Sequence, residues 1–289
     1  MESADLCLAG LQDAYRASVQ LAHWQGQSRR TALGNAGFLL PHLRPGMRVL
    51  DVGCGVGSIT RGLADVVGGA AHRAGKAVGV DANVDAIVEA RRAVAAGLRN
   101  VEFMVADLYG LPFEGASFDA IFAHGVAQHL TDPLAGLSEL RRVLRPGGVL
   151  GVVDAERDSR VLWPEPPLVL RAIELMDLLN DTDSGWTFPQ RAGSDVRIGR
   201  RLRELVHRAG FRDAEASVST VCDGTPQATR AAGDHEARLL EVPELVEFVV
   251  ARGSATRAEL ARMAEAWRQW GQEPGAFRAE FRCEVLGWR

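Results

Sequence analysis

Asp51, Gly53, Gly55 and Gly57 stand at alternate positions in "VLDVGCGVGSIT", residues 49–60. Glycine costs backbone entropy, so glycines this close mark a chain that must turn sharply or be approached closely. Further on, three apolar runs each end in a polar residue: "KAVGV" in Asp81, "VEFMVA" in Asp107 and "FDAIFA" in His124. Three carboxylates, an imidazole and a bare backbone loop could together hold a polar ligand with cationic character. Cys54 lies inside the glycine loop, but no base adjoins it, so it reads as a small buried residue rather than a nucleophile.

The elements that must position these residues follow from hydrophobic patterning. "MRVLDV", "KAVGVD", "VEFMVAD", "SFDAIFAHG" and "VLGVVDA" are continuous apolar runs, as strands covered on both faces require. Helical spacing separates them over residues 59–67, 84–96 and 133–144. Strands alternating with helices predict a parallel sheet with helices on both sides. Helical patterning also precedes the first strand. After Asp154 the rhythm breaks, and residues 156–197 are rich in Gly, Pro and Asp, with Trp163, Trp186 and Phe188 among them. A long irregular insertion of this kind is expected to be a lid or a binding loop. Helix resumes at "IGRRLRELVHRAGF". A strand is expected near 214–221, helices over 226–232, 236–251 and 257–270, and "FRAEFRCEVLGW" closes the chain as a strand. The expected organisation is an N-terminal helical cap (1–44), a ligand-binding core (45–155), a lid and acceptor insertion (156–197), and the remainder of the core with a helical insertion and closing strand (198–289).

A net charge of −4 on 289 residues, with both signs scattered, leaves no basic footprint for nucleic acid. No apolar run approaches membrane-spanning length, and the N-terminus lacks the pattern of a signal peptide. Cys7, Cys54, Cys222 and Cys283 are far apart and form no Cys/His cluster, so no metal site is expected. Free thiols suit a reduced, cytoplasmic setting.

In an open α/β sheet, ligands bind beyond the carboxyl ends of the strands. A dinucleotide fold favours GxGxxG, with the last glycine opening onto a pyrophosphate. Here Ser58 takes that place, and Asp51 precedes the first glycine where an anionic ligand has no use for a carboxylate. S-adenosylmethionine (SAM), with a sulfonium and an ammonium, suits it. Asp81 is placed to accept from ribose hydroxyls and Asp107 to read an adenine amino group, while His124 ends its strand over the same crevice.

"VLDVGCGVGSIT", "GVDAN", "VADLYGLPF", "FDAIFAHGVAQHL" and "LRPGG" resemble the successive motifs of class I SAM-dependent methyltransferases, in particular the UbiE/COQ5-like small-molecule group. The resemblance implies a Rossmann-like seven-stranded sheet with its last strand antiparallel. It implies that Gly53 and its neighbours, Cys54 included, lie under the methionine part. Asp81 with Ala82 would hold the ribose, and Ala106, Asp107 and Leu108 would flank adenine. Tyr15 and Arg30 are similar to positions that close over the SAM carboxylate end in relatives.

His129, in "AQHL", has two readings: a general base, or a structural hydrogen bonder beside Asp132. Trp163, Trp186 and Phe188 likewise read either as lid core or as the walls of an apolar acceptor pocket. The expected function is methyl transfer from SAM to a small-molecule acceptor, on a natural-product pathway, by in-line displacement in a closed site. No NPPY-like tetrapeptide follows the fourth strand, where "AHGV" stands, which argues against adenine or glutamine N-methylation. An NAD-dependent oxidoreductase and a SAM-binding protein without transferase activity are the alternatives; a homodimer is left open.

Overall fold

The structure is a computed structural model that describes residues 27–68, 75–94, 99–180 and 195–289. These residues divide into two units: one of 27–155, 198–218 and 283–289, the other of 156–180, 195–197 and 219–282.

The first unit holds the sheet. Strands β1 (Arg48–Val52), β2 (Lys76–Asp81), β3 (Val101–Val105), β4 (Phe118–His124) and β5 (Leu144–Ala155) pair in parallel in the order β3-β2-β1-β4-β5. In register, Leu50 lies beside Val78 on one side and Ile121 on the other. β8 (Phe277–Trp288) follows β5, and β7 (Arg212–Asp223) pairs with β8. β8 runs antiparallel to β5: the Gly147 N–H at the start of β5 bonds Arg289 O, and the Glu156 N–H past its end bonds Phe281 O. The parallel β1 to β5 and the antiparallel closing strand are as expected. An eighth, β6 (Val161–Trp163), was not foreseen; in the second unit it pairs antiparallel with Phe277–Ala279 of β8.

Alternate side chains along each strand enter different cores. Leu50, Val52, Val78, Ile121, Leu150 and Val152 pack on the side of α4 (Pro133–Val143) and α6 (Leu202–Arg208). Val49, Ala77, Ala120, Phe122 and Val149 pack on the other side, with α2 (Ser58–Gly68) and with α1 (Ala32–Ala36). This two-sided burial is why the strand runs are apolar throughout. Each large side chain fully removed from water contributes roughly 1.5–3 kcal/mol before entropy is counted. α3 (Val84–Val94) covers β3 through Ile87 and Ala90. α4 ends at Val143 and "LRPGG" begins β5: the β4–β5 register jumps between Phe118 and Ala120, and Gly147 takes the left-handed φ of 76° that this irregularity needs.

The second unit is mostly helical: α5 (Pro167–Asn180), α7 (Pro226–Leu240), α8 (Pro243–Ala251) and α9 (Arg257–Gln272). Val169, Ala172 and Leu175 of α5 share a core with Trp267 and Trp270 of α9. Gly233 does not break α7, contrary to expectation. A Cβ there would collide with the Trp267 carbonyl, and one at Gly271 would meet Thr229 O at 2.8 Å, so both glycines serve close approach of α7 and α9. Among the described residues, no helix is long and apolar enough to cross a membrane.

Candidate active site

The glycine loop joins β1 to α2, and Gly53, Gly55 and Gly57 all take left-handed φ, 67°, 53° and 75°. Side chains would be strained there, and each meets a different neighbour. A Cβ on Gly57 would strike the Phe103 ring of β3, one on Gly53 would strike Val126 after β4, and one on Gly55 would strike the Gln27 amide. Gly57 therefore serves helix–sheet packing, whereas Gly53 is exposed and leaves its backbone bare. The loop is fastened at its middle: Cys54 N–H donates to Val80 O at 3.0 Å, and Ser58 Oγ donates to Gln27 O at 2.7 Å.

Asp51 is 2% exposed and accepts from Thr60 Oγ1 at 2.6 Å. Burial pushes its carboxyl up to about 7; the Thr60 hydrogen bond pulls it back, and the nearby Asp81 charge adds to the rise. The Cys54 thiol is pushed up by burial and then by Asp51 and Asp81, so it stays protonated and is no nucleophile.

Asp81 ends β2 half-buried, its Oδ2 accepting from Gly55 N–H and its Oδ1 from Asn83 N–H, both at 2.9 Å. Each oxygen keeps a second lone pair for another donor. Ala82 is exposed beside it, and Ala106 N–H bonds Asp81 O at 3.1 Å, which joins the ends of β2 and β3. Asp107 is exposed; its Oδ1 caps the turn Leu108–Gly110 by accepting from Tyr109 N–H at 2.9 Å, and Leu108 is buried.

His124, at the end of β4, sits between two groups from the N-terminal segment. Arg30 Nη1 lies 3.4 Å from Nδ1, and Asn35 Nδ2 lies 3.2 Å from Nε2. His129 is half-buried in the turn Ala127–His129. The Asp132 carboxylate beside it caps α4, accepting from Ala135 N–H at 3.0 Å. Trp163 is 65% exposed on β6. Tyr15, Trp186 and Phe188 lie outside the described residues.

Four residues at this site were not foreseen. Thr60 faces Asp51 because it lies one turn into α2, and Asn83 caps α3 from the residue after Ala82. Asn35 had no signal of its own. Asp154 did: it ends the fifth apolar run as Asp81 ends the second, and it is 1% exposed. Among the described residues no group of acidic, His or Cys side chains is arranged to hold a metal ion.

The residues present fit SAM: an exposed glycine at left-handed φ, a buried acid beneath it, and acids at the tips of β2 and β3. Residues 43–182 match the family of methyltransferase domains. The chain carries a class I SAM-dependent methyltransferase domain. An uncharacterized methyltransferase from Schizosaccharomyces pombe is 28% identical to it over 249 residues, 82% of each chain. A protein named an O-methyltransferase from Aspergillus sclerotiorum is 30% identical over 61% of each chain. For the fold, a putative methyltransferase from Bacillus halodurans superposes with a TM-score of 0.51 at 20% identity, covering 87% of this chain and 96% of that one. SAM is thus the cofactor of this methyltransferase, and the oxidoreductase alternative falls. Placement in the UbiE/COQ5-like group rests on the motifs alone.

Proposed function

We propose that this methyltransferase methylates a small-molecule acceptor, a hydroxylated natural-product intermediate, by in-line displacement. The observation that carries this reading is the row of acids around the exposed Gly53: Asp51 below the loop, Asp81 tied to Gly55, and Asp107 at the next strand end. The O-methyltransferase relative supports oxygen as the attacking atom.

When bound, SAM supplies a methyl group on a positively charged sulfur whose leaving group is a neutral thioether, so no acid is needed. The chain's task is alignment and exclusion of water. Gly53 with Cys54, Gly55 and Gly57 receives the methionine part, and Asp51, once it has lost its proton, favours its positive charge. Asp81, with Ala82, accepts from the ribose hydroxyls; Asp107 accepts from the adenine amino group, flanked by Ala106 and Leu108. Arg30 and Tyr15 close on the carboxylate end, with His124 holding Arg30. His129 takes the hydroxyl proton when the acceptor must lose it. Trp163, Trp186 and Phe188 offer apolar contact to the acceptor.

The test is transfer of isotopically labelled methyl from SAM to a panel of phenols, aliphatic alcohols and amines, alongside calorimetry with SAM and NAD. Labelled methyl ether from a phenol or alcohol is expected. Labelling of amines alone would overturn the oxygen assignment, and SAM binding without transfer to any class would overturn the reading.

A further inference from the structure

Asp154 stands at the end of β5, 1% exposed, beside the glycine-loop end of the sheet. It ends β5 beside β4, where His124 is in register with Val153 and Gly125 N–H bonds Val153 O at 2.8 Å. Its side chain shares the face of Val152, beneath the turn Ala127–His129. Oδ2 accepts from Ala127 N–H at 2.8 Å and Gln128 N–H at 3.4 Å. Oδ1 is buried and has no hydrogen-bond partner. The turn it holds carries His129, and just before the turn stands Val126, the side chain that packs over Gly53.

We propose that Asp154 is a positioning residue for methyl transfer: its carboxylate anchors the 126–129 segment through backbone N–H groups and so sets where Val126 and His129 stand relative to the glycine loop. This rests on the reading of the glycine loop as the SAM site.

The lopsided bonding gives the anchor a pH dependence. An ionised carboxylate accepts N–H bonds more strongly than a carboxylic acid. Burial nonetheless pushes Asp154 up to about 7, against the pull of the backbone N–H groups of Gln128, Ala127, Ala155 and Val126. The other titratable and charged groups on the elements around it are His124 on β4, His129 and Asp132 at the turn, Glu156 after β5, Arg200 and Arg201 on the turn Ile198–Arg201, and Glu284 on β8. The causes of its shift are burial and backbone hydrogen bonds. Asp154 therefore grips the turn at pH 8 and loosens it at pH 6.

Amide hydrogen exchange over residues 125–131, corrected for intrinsic rates, tests this in the wild type and Asp154→Asn at pH 6 and pH 8. Asparagine keeps the shape and one acceptor but cannot ionise. In the wild type, protection should be about tenfold greater at pH 8 than at pH 6, the order of one charge-assisted hydrogen bond. In Asp154→Asn it should be low at both, while β1 and β4 exchange as in the wild type, which shows that the variant is folded. SAM affinity of Asp154→Asn at pH 8 should be several-fold weaker by calorimetry. A pH-independent wild-type turn, or an Asp154→Asn profile equal to the wild type, would overturn the anchor. An altered turn with unchanged SAM affinity would overturn its positioning role. If the wild type binds no SAM, the cofactor assignment fails, and the anchor is still decided by exchange alone.

Discussion

The Gly55 amide donates to Asp81 Oδ2 at 2.9 Å across 26 residues of sequence. One carboxylate thus fastens the loop after β1 to the end of β2, and Oδ1 of the same group holds the turn into α3 through Asn83 N–H. Asp81 thereby shapes the glycine loop that we propose as the SAM cradle.

Asp81→Ala should therefore weaken SAM binding by about tenfold or more, the value of one or two charge-assisted hydrogen bonds. Asp81→Asn, which keeps an acceptor for Gly55 N–H, should lose less. Calorimetry decides: SAM affinity unchanged in the alanine variant would remove Asp81 from the site.

Gly57 and Gly147 have nearly the same backbone, φ 75° and 76°, but different surroundings. A Cβ at Gly57 strikes Phe103, while one at Gly147 meets nothing within 4 Å. Gly147→Ala should cost about 1–2 kcal/mol, the left-handed backbone alone. Gly57→Ala should cost roughly 2–4 kcal/mol, because overpacking adds to it. Urea unfolding measures both; equal losses would show that the Phe103 contact yields without cost.

Asp51 titrates at about 7 in the fold against an ordinary 3.8. Between those values the folded protein keeps a proton that the unfolded chain has released. Its contribution to stability therefore falls as pH rises from about 4 through 7. Asp51→Asn removes this loss, and the Thr60 hydroxyl can still donate to the amide oxygen. The variant should match or exceed wild-type stability at pH 8, by up to a few kcal/mol, yet bind the SAM cation more weakly. Urea midpoints at pH 5 and pH 8 give the test. A wild type that gains stability over the variant between those pH values would contradict the sign.

Trp163 is 65% exposed, so its indole contributes little to the core, although its carbonyl accepts from Trp270 Nε1 at 3.2 Å. Trp163→Ala should leave the unfolding temperature within a few degrees. If the indole meets the acceptor, acceptor KM should rise severalfold with SAM affinity unchanged. Wild-type acceptor kinetics in the variant would exclude it from acceptor recognition.

The strands β1, β2, β4 and β5 were legible because burial on both faces forces continuous apolar runs, and the edge strand β3 because its burial alternates. Asp81, Asp107 and His124 stood out because each is a polar residue ending such a run, and Asp51 because it precedes the glycines. β6 was not: "VLW" is short, and it is a strand because β8 is there to pair with it. Gly233 looked like a helix end because glycine is a poor helix former; the contact with α9 that makes glycine the fitting residue lies far along the chain.

By itself the sequence determined the alternation of strands and helices and a cationic rather than pyrophosphate ligand, since both follow from spacing and residue type within a few residues. Tertiary structure decided which polar groups meet. Gly55 with Asp81, His124 with Arg30 and Asn35, and Ala127 with Asp154 are pairs set by strand order and by the path of the chain over the sheet. It also decided that Asp51 and Asp154 hold protons near neutral pH, because burial is a property of the packed surroundings and not of the carboxyl group.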